Sequence, residues 1–281
     1  MKKKLMAVLV AAGMVVSMAA CGGASSESQT AVPAAETVES AAASTAEAGT
    51  EETAELTTVT PGKLTMSTNA AFPPYEMTTD TGELEGIDIE VAGAIAEKLG
   101  LELQVDDMEF DAALLAAQQG KSDIVMAGVS VTDERKKVME FSDSYATGVQ
   151  VIIVKEGSDI QSVEDLEGKM IGTQRGTTGN LYCTDDYGED HITSYDNGLT
   201  AVQALNNGQV DCVVIDKEPA TAFVGANPGL VILDTEYTSE DYAIGMAKGN
   251  TALLDAVNTA LAELQADGTV DAIVAKYIKA E

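Results

Sequence analysis

The sequence predicts an α/β protein built from two similar units, the second inserted into the first. Three observations carry this. From residue 62 onward, short apolar runs of strand length alternate with segments of helical periodicity. The alternation restarts after a long β-rich run, Thr147 to Val154. A later β run, Tyr242 to Met246, then returns the chain before two closing amphipathic helices. A β-α-β-α-β series implies a parallel sheet with right-handed crossovers. Two β crossings between the units form a natural hinge.

The elements follow in order. Leu64 to Ser67 alternates as a strand and ends at Thr68-Asn69. Ala70 to Met77, AAFPPYEM, holds two consecutive prolines, which forbid a helix and predict a stiff loop. Val91, Ala92, Ile95 and Leu99 recur at helical spacing, and Gly100 stops that helix. Leu101 to Val105 is a strand, Phe110 to Gln119 a helix, and Asp123 to Met126 a third strand. In the second unit, Ser162 and Asp165 form a capping-box pattern before a short helix. Met170 to Thr173, Ile192 to Tyr195, Cys212 to Ile215 and Leu230 to Leu233 read as strands, with a helix over Leu199 to Leu205. Leu254, Val257, Leu261 and Leu264 give a long amphipathic helix, and Val270 to Ile278 a shorter one.

Composition narrows the function. The chain has 281 residues and a formal net charge of -30. Nucleic acid and anionic lipid surfaces both require clustered cations, so neither is expected as a partner. The sole histidine, His191, has no partner motif and no C-x-x-C is present, so no metal or cofactor is expected. Cys183 and Cys212 are either two separate thiols or a disulfide, and two positions do not decide between them.

The first residues form a targeting segment. Lys2, Lys3 and Lys4 precede an apolar run, Leu5 to Val16, and small residues lead to Ala19-Ala20-Cys21. This resembles the bacterial lipoprotein signal, which implies a signal peptide over 1–20 and a lipid on the Cys21 sulfur. Residues 21–60 are rich in Ala, Ser, Thr and Glu and too polar to fold, so a disordered tether is expected. Such a tether spans roughly 35 Å.

The stretch that carries chemistry is Ala127 to Lys137, AGVSVTDERKK. It lies between a strand and a helix capped by Thr132 or Asp133. Open α/β sheets bind ligands at the carboxyl ends of their strands. Arg135 stands there, and its guanidinium fork matches a carboxylate. Taken alone, the stretch also fits a solvated helix surface shared with Lys136 and Lys137. Gln174 to Gly179, QRGTTG, repeats the strand, small-residue turn and helix start, a form suited to an anion.

Together with LEGIDIEVAGAIAEKLG, MEFDAAL, ALNNGQVDCVVID and LAELQADGTVDAIVAKYI, these strings resemble the polar amino-acid solute-binding proteins of ABC importers. The resemblance covers the chain from about Gly62 onward. It implies a two-lobed periplasmic-binding-protein-like fold of class II, with two parallel-core sheets joined by two hinge strands. Lobe 1 would comprise 61–147 and 241–281, and lobe 2 would comprise 148–240. Arg135 would hold the ligand α-carboxylate, helped by Ser130 and Thr178. Asp216 would hold the α-ammonium, with the Gly128 carbonyl. Phe72 and Phe110 would sandwich the side chain, and Asn69, Tyr75, Ala127 and Gln174 would complete the pocket. Burying a zwitterion without a cation and an anion to match it costs several kcal/mol, so the pairing is physically required. Asn69 and Gln174 suit a glutamine-like or arginine-like side chain. The implied protein is a monomer, not an enzyme, anchored at Cys21 on the outer face of the cell membrane and serving an ABC permease. Two other readings share the fold: a sensory subunit for a membrane signalling partner, and a dehydratase acting on cyclic acids.

Overall fold

The computed structural model describes residues 56–279, which belong to one compact unit, Glu55–Glu281. The expected signal peptide, Cys21 and nearly all of the tether lie outside the described residues. The expected two-unit α/β architecture is present. The first unit runs β1 (Lys63–Thr68), β2 (Ala71–Phe72), β3 (Glu76–Thr78), β4 (Leu84–Glu85), α1 (Ile87–Lys98), β5 (Glu102–Asp107), α2 (Phe110–Gln118), β6 (Ile124–Val125) and α3 (Asp133–Val138). The long strand β7 (Met139–Lys155) leads into the second unit. There follow β8 (Ile171–Gln174), α4 (Thr178–Tyr187), β9 (Ile192–Tyr195), α5 (Gly198–Asn206), β10 (Cys212–Asp216) and α6 (Lys217–Ala226). Strand β11 (Leu230–Ala247) returns the chain to α7 (Thr251–Ala266) and α8 (Thr269–Tyr277).

The two expected sheets are fused. The strand order is β5-β1-β6-β11-β7-β10-β8-β9. Parallel ladders join β5, β1 and β6 on one side and β10, β8 and β9 on the other. Between them β7 and β11 form a long antiparallel pair that runs through both units. The expected borders fall inside this pair and face one another: Thr147 pairs with Asp241, and Gly148 with Glu240. Both strands are longer than their apolar parts predict, because their central residues are polar.

Strand periodicity explains why both faces are covered. In β10, Val213 and Ile215 enter one hydrophobic cluster while Cys212 and Val214 enter another. In β7, Val151 and Ile153 join the first, and Ile152 and Val154 the second. Alternate residues point to opposite faces, so a strand buried on both sides reads as a continuous apolar run. Cys183 and Cys212 are both buried free thiols in the second cluster.

Two further differences bear on the site. Ala70 to Met77 is a hairpin and not a loop: β2 and β3 pair antiparallel, with β4 beside them, and the Pro73-Pro74 pair makes the turn. The sequence reading also missed α6, which starts directly after Asp216 and carries Pro219 in its first turn, where the helix needs no donor from that residue. The expected capping box at Ser162 and Asp165 is present.

Candidate functional site

The carboxyl ends of β1, β6, β8 and β10 converge on one cleft between the two units. Asn69, Phe72, Glu76, Phe110, Ala127, Gly128, Ser130, Arg135, Gln174, Thr177, Thr178 and Asp216 line it. Ten of the eleven expected ligand-binding residues are in that wall. The exception is Tyr75. It is buried behind Phe72, ring centroids 6.0 Å apart, and meets Tyr242 edge-on at 5.2 Å. It supports the pocket floor and does not line it.

Arg135 is not a solvated helix residue. It is 9% exposed, whereas Lys136 and Lys137 are exposed. Thr132 caps α3 by accepting from the Arg135 amide at 3.1 Å, which fixes the start of the helix. The guanidinium then turns back into the cleft. Its Nη1 donates to the Ser130 carbonyl at 2.8 Å, and Nη2 reaches the Gly176 carbonyl in the other unit at 3.2 Å. The Phe110 ring covers it, with Cζ 5.5 Å from the centroid. Burial pulls the Arg135 pKa down, and the Glu240 carboxylate is the strongest influence opposing that.

Gly128 shows why the turn before Arg135 needs a bare backbone. Its φ is 55°, and a Cβ there would lie 2.8 Å from Phe72 Cε1. Its amide donates to Asp88 Oδ2 at 2.9 Å, tying the turn to the first turn of α1. Phe72 can therefore lie against the turn that leads to Ser130.

Asp216 ends β10 and is fully enclosed. Tyr242 of β11 donates its hydroxyl to Oδ1, and Gln150 Nε2 of β7 donates to Oδ2 at 2.8 Å. Burial nevertheless pushes its pKa up to about 7, more strongly than these two donors hold it down. Direct contacts join the units above it. Gln174 Nε2 donates to Asn69 Oδ1 at 2.9 Å, and the Ser130 and Thr178 hydroxyls lie 3.3 Å apart.

Three residues of the site were not expected from sequence. Thr177 caps α4 and lines the wall. Glu76 lines it too and is fully buried; among the described residues no donor group of another residue type reaches its carboxyl, which faces that of Asp88. The hairpin register places it: Glu76 pairs with Phe72, and cross-strand partners share a face. Burial raises its pKa well above the carboxylate range, and Asp88 adds to the effect. Glu240, on β11, accepts from the Thr178 hydroxyl at 2.6 Å and the Ser130 hydroxyl at 3.1 Å.

Comparison with known proteins identifies the family. The bacterial extracellular solute-binding proteins, family 3, match residues 64–280, and the chain belongs to that family. Among its relatives is the L-cystine-binding protein TcyJ of Escherichia coli (strain K12), 31% identical over 224 residues, which are 78% of this chain and 84% of TcyJ. Among solved structures, an ancestral arginine-binding protein bound to glutamine is 41% identical with a TM-score of 0.75, covering 79% of this chain and 100% of that one. The ancestral protein bound to arginine is 43% identical with a TM-score of 0.73, covering 77% and 98%. These are two-lobed amino-acid-binding proteins, and the fold here is of that kind. In that first solved protein, a chain matched over its whole length by 79% of this one is a folded protein by itself.

Proposed function

We propose that this protein is the extracytoplasmic substrate-binding component of an ABC importer and takes a polar L-amino acid between its two lobes without chemical change. The observation that carries the reading is the placing of Arg135 and Asp216, buried charges of opposite sign from different lobes, in the wall of one cleft. The α-carboxylate lies on the Arg135 fork with the Ser130 and Thr178 hydroxyls. The α-ammonium lies on Asp216 with the Gly128 carbonyl. Only a closed cleft satisfies both ends, so ligand binding favours closure. The lobes divide within β7 and β11, near Thr147 and Asp241.

Glu76 narrows the side chain. An unpartnered buried carboxyl accepts from a guanidinium when ionised and donates to an amide oxygen when protonated. Asn69 and Gln174 add amide groups on the same wall. The ligand is therefore arginine-like or glutamine-like, in keeping with the two ligands of the ancestral relative. Delivery is to a membrane permease, by a monomer held through lipid on Cys21 at the outer face of the membrane. A thermal-shift screen of residues 56–281 against the amino acids tests the binding reading, since a ligand that binds only the native state raises the melting temperature. A flat response to all of them refutes it.

A further inference from the structure

The carboxylate of Glu240 occupies the donors that an amino-acid carboxylate needs. Its Oε2 accepts from the Thr178 hydroxyl at 2.6 Å, the Ser130 hydroxyl at 3.1 Å and Gln150 Nε2 at 3.3 Å. Its Oε1 accepts from the Tyr182 hydroxyl at 2.9 Å. These donors come from both lobes and from β7. Ser130 and Thr178 are the hydroxyls that the family resemblance, independently of Glu240, implies for the ligand α-carboxylate. Arg135, the cation of the same subsite, feels Glu240 more than any other charged group. Glu240 itself lies on β11 opposite Gly148, so its backbone belongs to the connection between the lobes.

The charges around it do not accommodate a second carboxylate. Gln150 Nε2 is already shared between Glu240 and Asp216. Adding a ligand carboxylate beside Glu240 would set two anions on one arginine and one pair of hydroxyls, with Asp216 close behind. Like charges at that separation repel strongly in a buried site. One of the two carboxylates must leave, and Glu240 is the half-exposed one on a strand whose register with β7 is already irregular nearby.

We propose that Glu240 is an internal competitor for the α-carboxylate subsite. It bridges the lobes through Ser130 and Thr178 in the unliganded protein, and it is displaced when an amino acid binds. It therefore stabilises the unliganded closed form and sets the affinity below what Arg135, Ser130 and Thr178 would otherwise give. The displacement step rests on reading the cleft as an amino-acid site, whereas the bridging of the lobes does not.

Two measurements on residues 56–281 separate these. Small-angle scattering of the free protein should give a larger radius of gyration for Glu240→Ala than for the wild type, with Glu240→Gln between them. Calorimetry with L-arginine and L-glutamine should show tighter binding to Glu240→Ala, by roughly tenfold, as expected when about one charge-assisted hydrogen-bond set no longer has to be broken. Glu240→Gln keeps the size and one acceptor oxygen and should gain less. Unchanged or weaker binding by both variants overturns the competitor role. An unchanged radius overturns the bridging role. If the wild type binds neither amino acid, the arginine-like or glutamine-like assignment fails, and the scattering comparison alone decides whether Glu240 bridges the lobes.

Discussion

Tyr242, on the return strand β11, donates its hydroxyl to Asp216 at the end of β10. The return strand thus holds the carboxylate proposed for the ligand ammonium. Tyr242 is fully buried and packs on Tyr75, so its ring has little freedom. Tyr242→Phe keeps the ring and removes the donor. A hydrogen bond to a charged group contributes about 1.5–3 kcal/mol, so affinity for the amino acid should fall roughly tenfold to a hundredfold at neutral pH. Calorimetry of wild type and variant checks this. Equal affinities would mean that Asp216 does not need the hydroxyl to stay ionised.

Arg135 and Lys137 lie on the same short helix yet should respond differently. Lys137 is exposed and pairs only with Glu134, and such surface pairs contribute little. Arg135→Ala should abolish the melting-temperature rise caused by the amino acid, while Lys137→Ala should leave it nearly intact. A thermal-shift assay of both variants with the best ligand from the screen is sufficient. Equal effects would remove Arg135 from the ligand-binding residues.

Buried acids should make the unliganded protein less stable as pH rises. Burial raises Asp216 to about 7 and Asp88 to about 6. Both folded values lie above the ordinary unfolded one, so this stabilisation is complete at low pH, below the unfolded value, and is lost as pH climbs through about 6 and then about 7. For Asp216 the loss is about 4 kcal/mol at most. The melting temperature without ligand should fall between about pH 4 and pH 7, and Asp216→Asn should flatten the curve. The ligand-induced rise should grow over the same interval, because the ammonium needs an ionised partner. A melting temperature that climbs through this range in the wild type but not in Asp216→Asn would contradict the argument.

Glu76 should discriminate between side chains. Glu76→Gln keeps the shape of the wall but removes the group that ionises against a guanidinium. Arginine binding should weaken by roughly tenfold or more, while glutamine binding should change by less, since an amide still has a donor and an acceptor to meet. Competition calorimetry gives the ratio directly. Equal losses for both ligands would place the side chain away from Glu76.

How much of this was legible in the sequence depends on how local each signal is. AGVSVTDERKK shows a strand end, a cap and an arginine within eleven residues, and the structure folds it accordingly. The two-unit plan was legible because buried strands are apolar on both faces. Glu76 was hidden because its direction depends on pairing with Phe72 across a hairpin that the two prolines disguised as a loop. Glu240 was hidden in an acidic run, TSEDY, on a strand whose register with β7 shifts more than once. Its partners stand 62 and 110 residues away, which no local pattern reveals. Helix α6 was missed because Lys217 to Ala226 carries a proline near its start and a glycine near its end, both of which read as helix breakers.

The central claim is that Arg135 and Asp216 clamp the two charged ends of an amino acid. The most direct test compares L-arginine with agmatine, which has the same side chain and amine but no carboxylate, by calorimetry on residues 56–281. The clamp predicts binding of arginine at about micromolar affinity or tighter and of agmatine at least about a hundredfold weaker. Equal affinity for the two would contradict it.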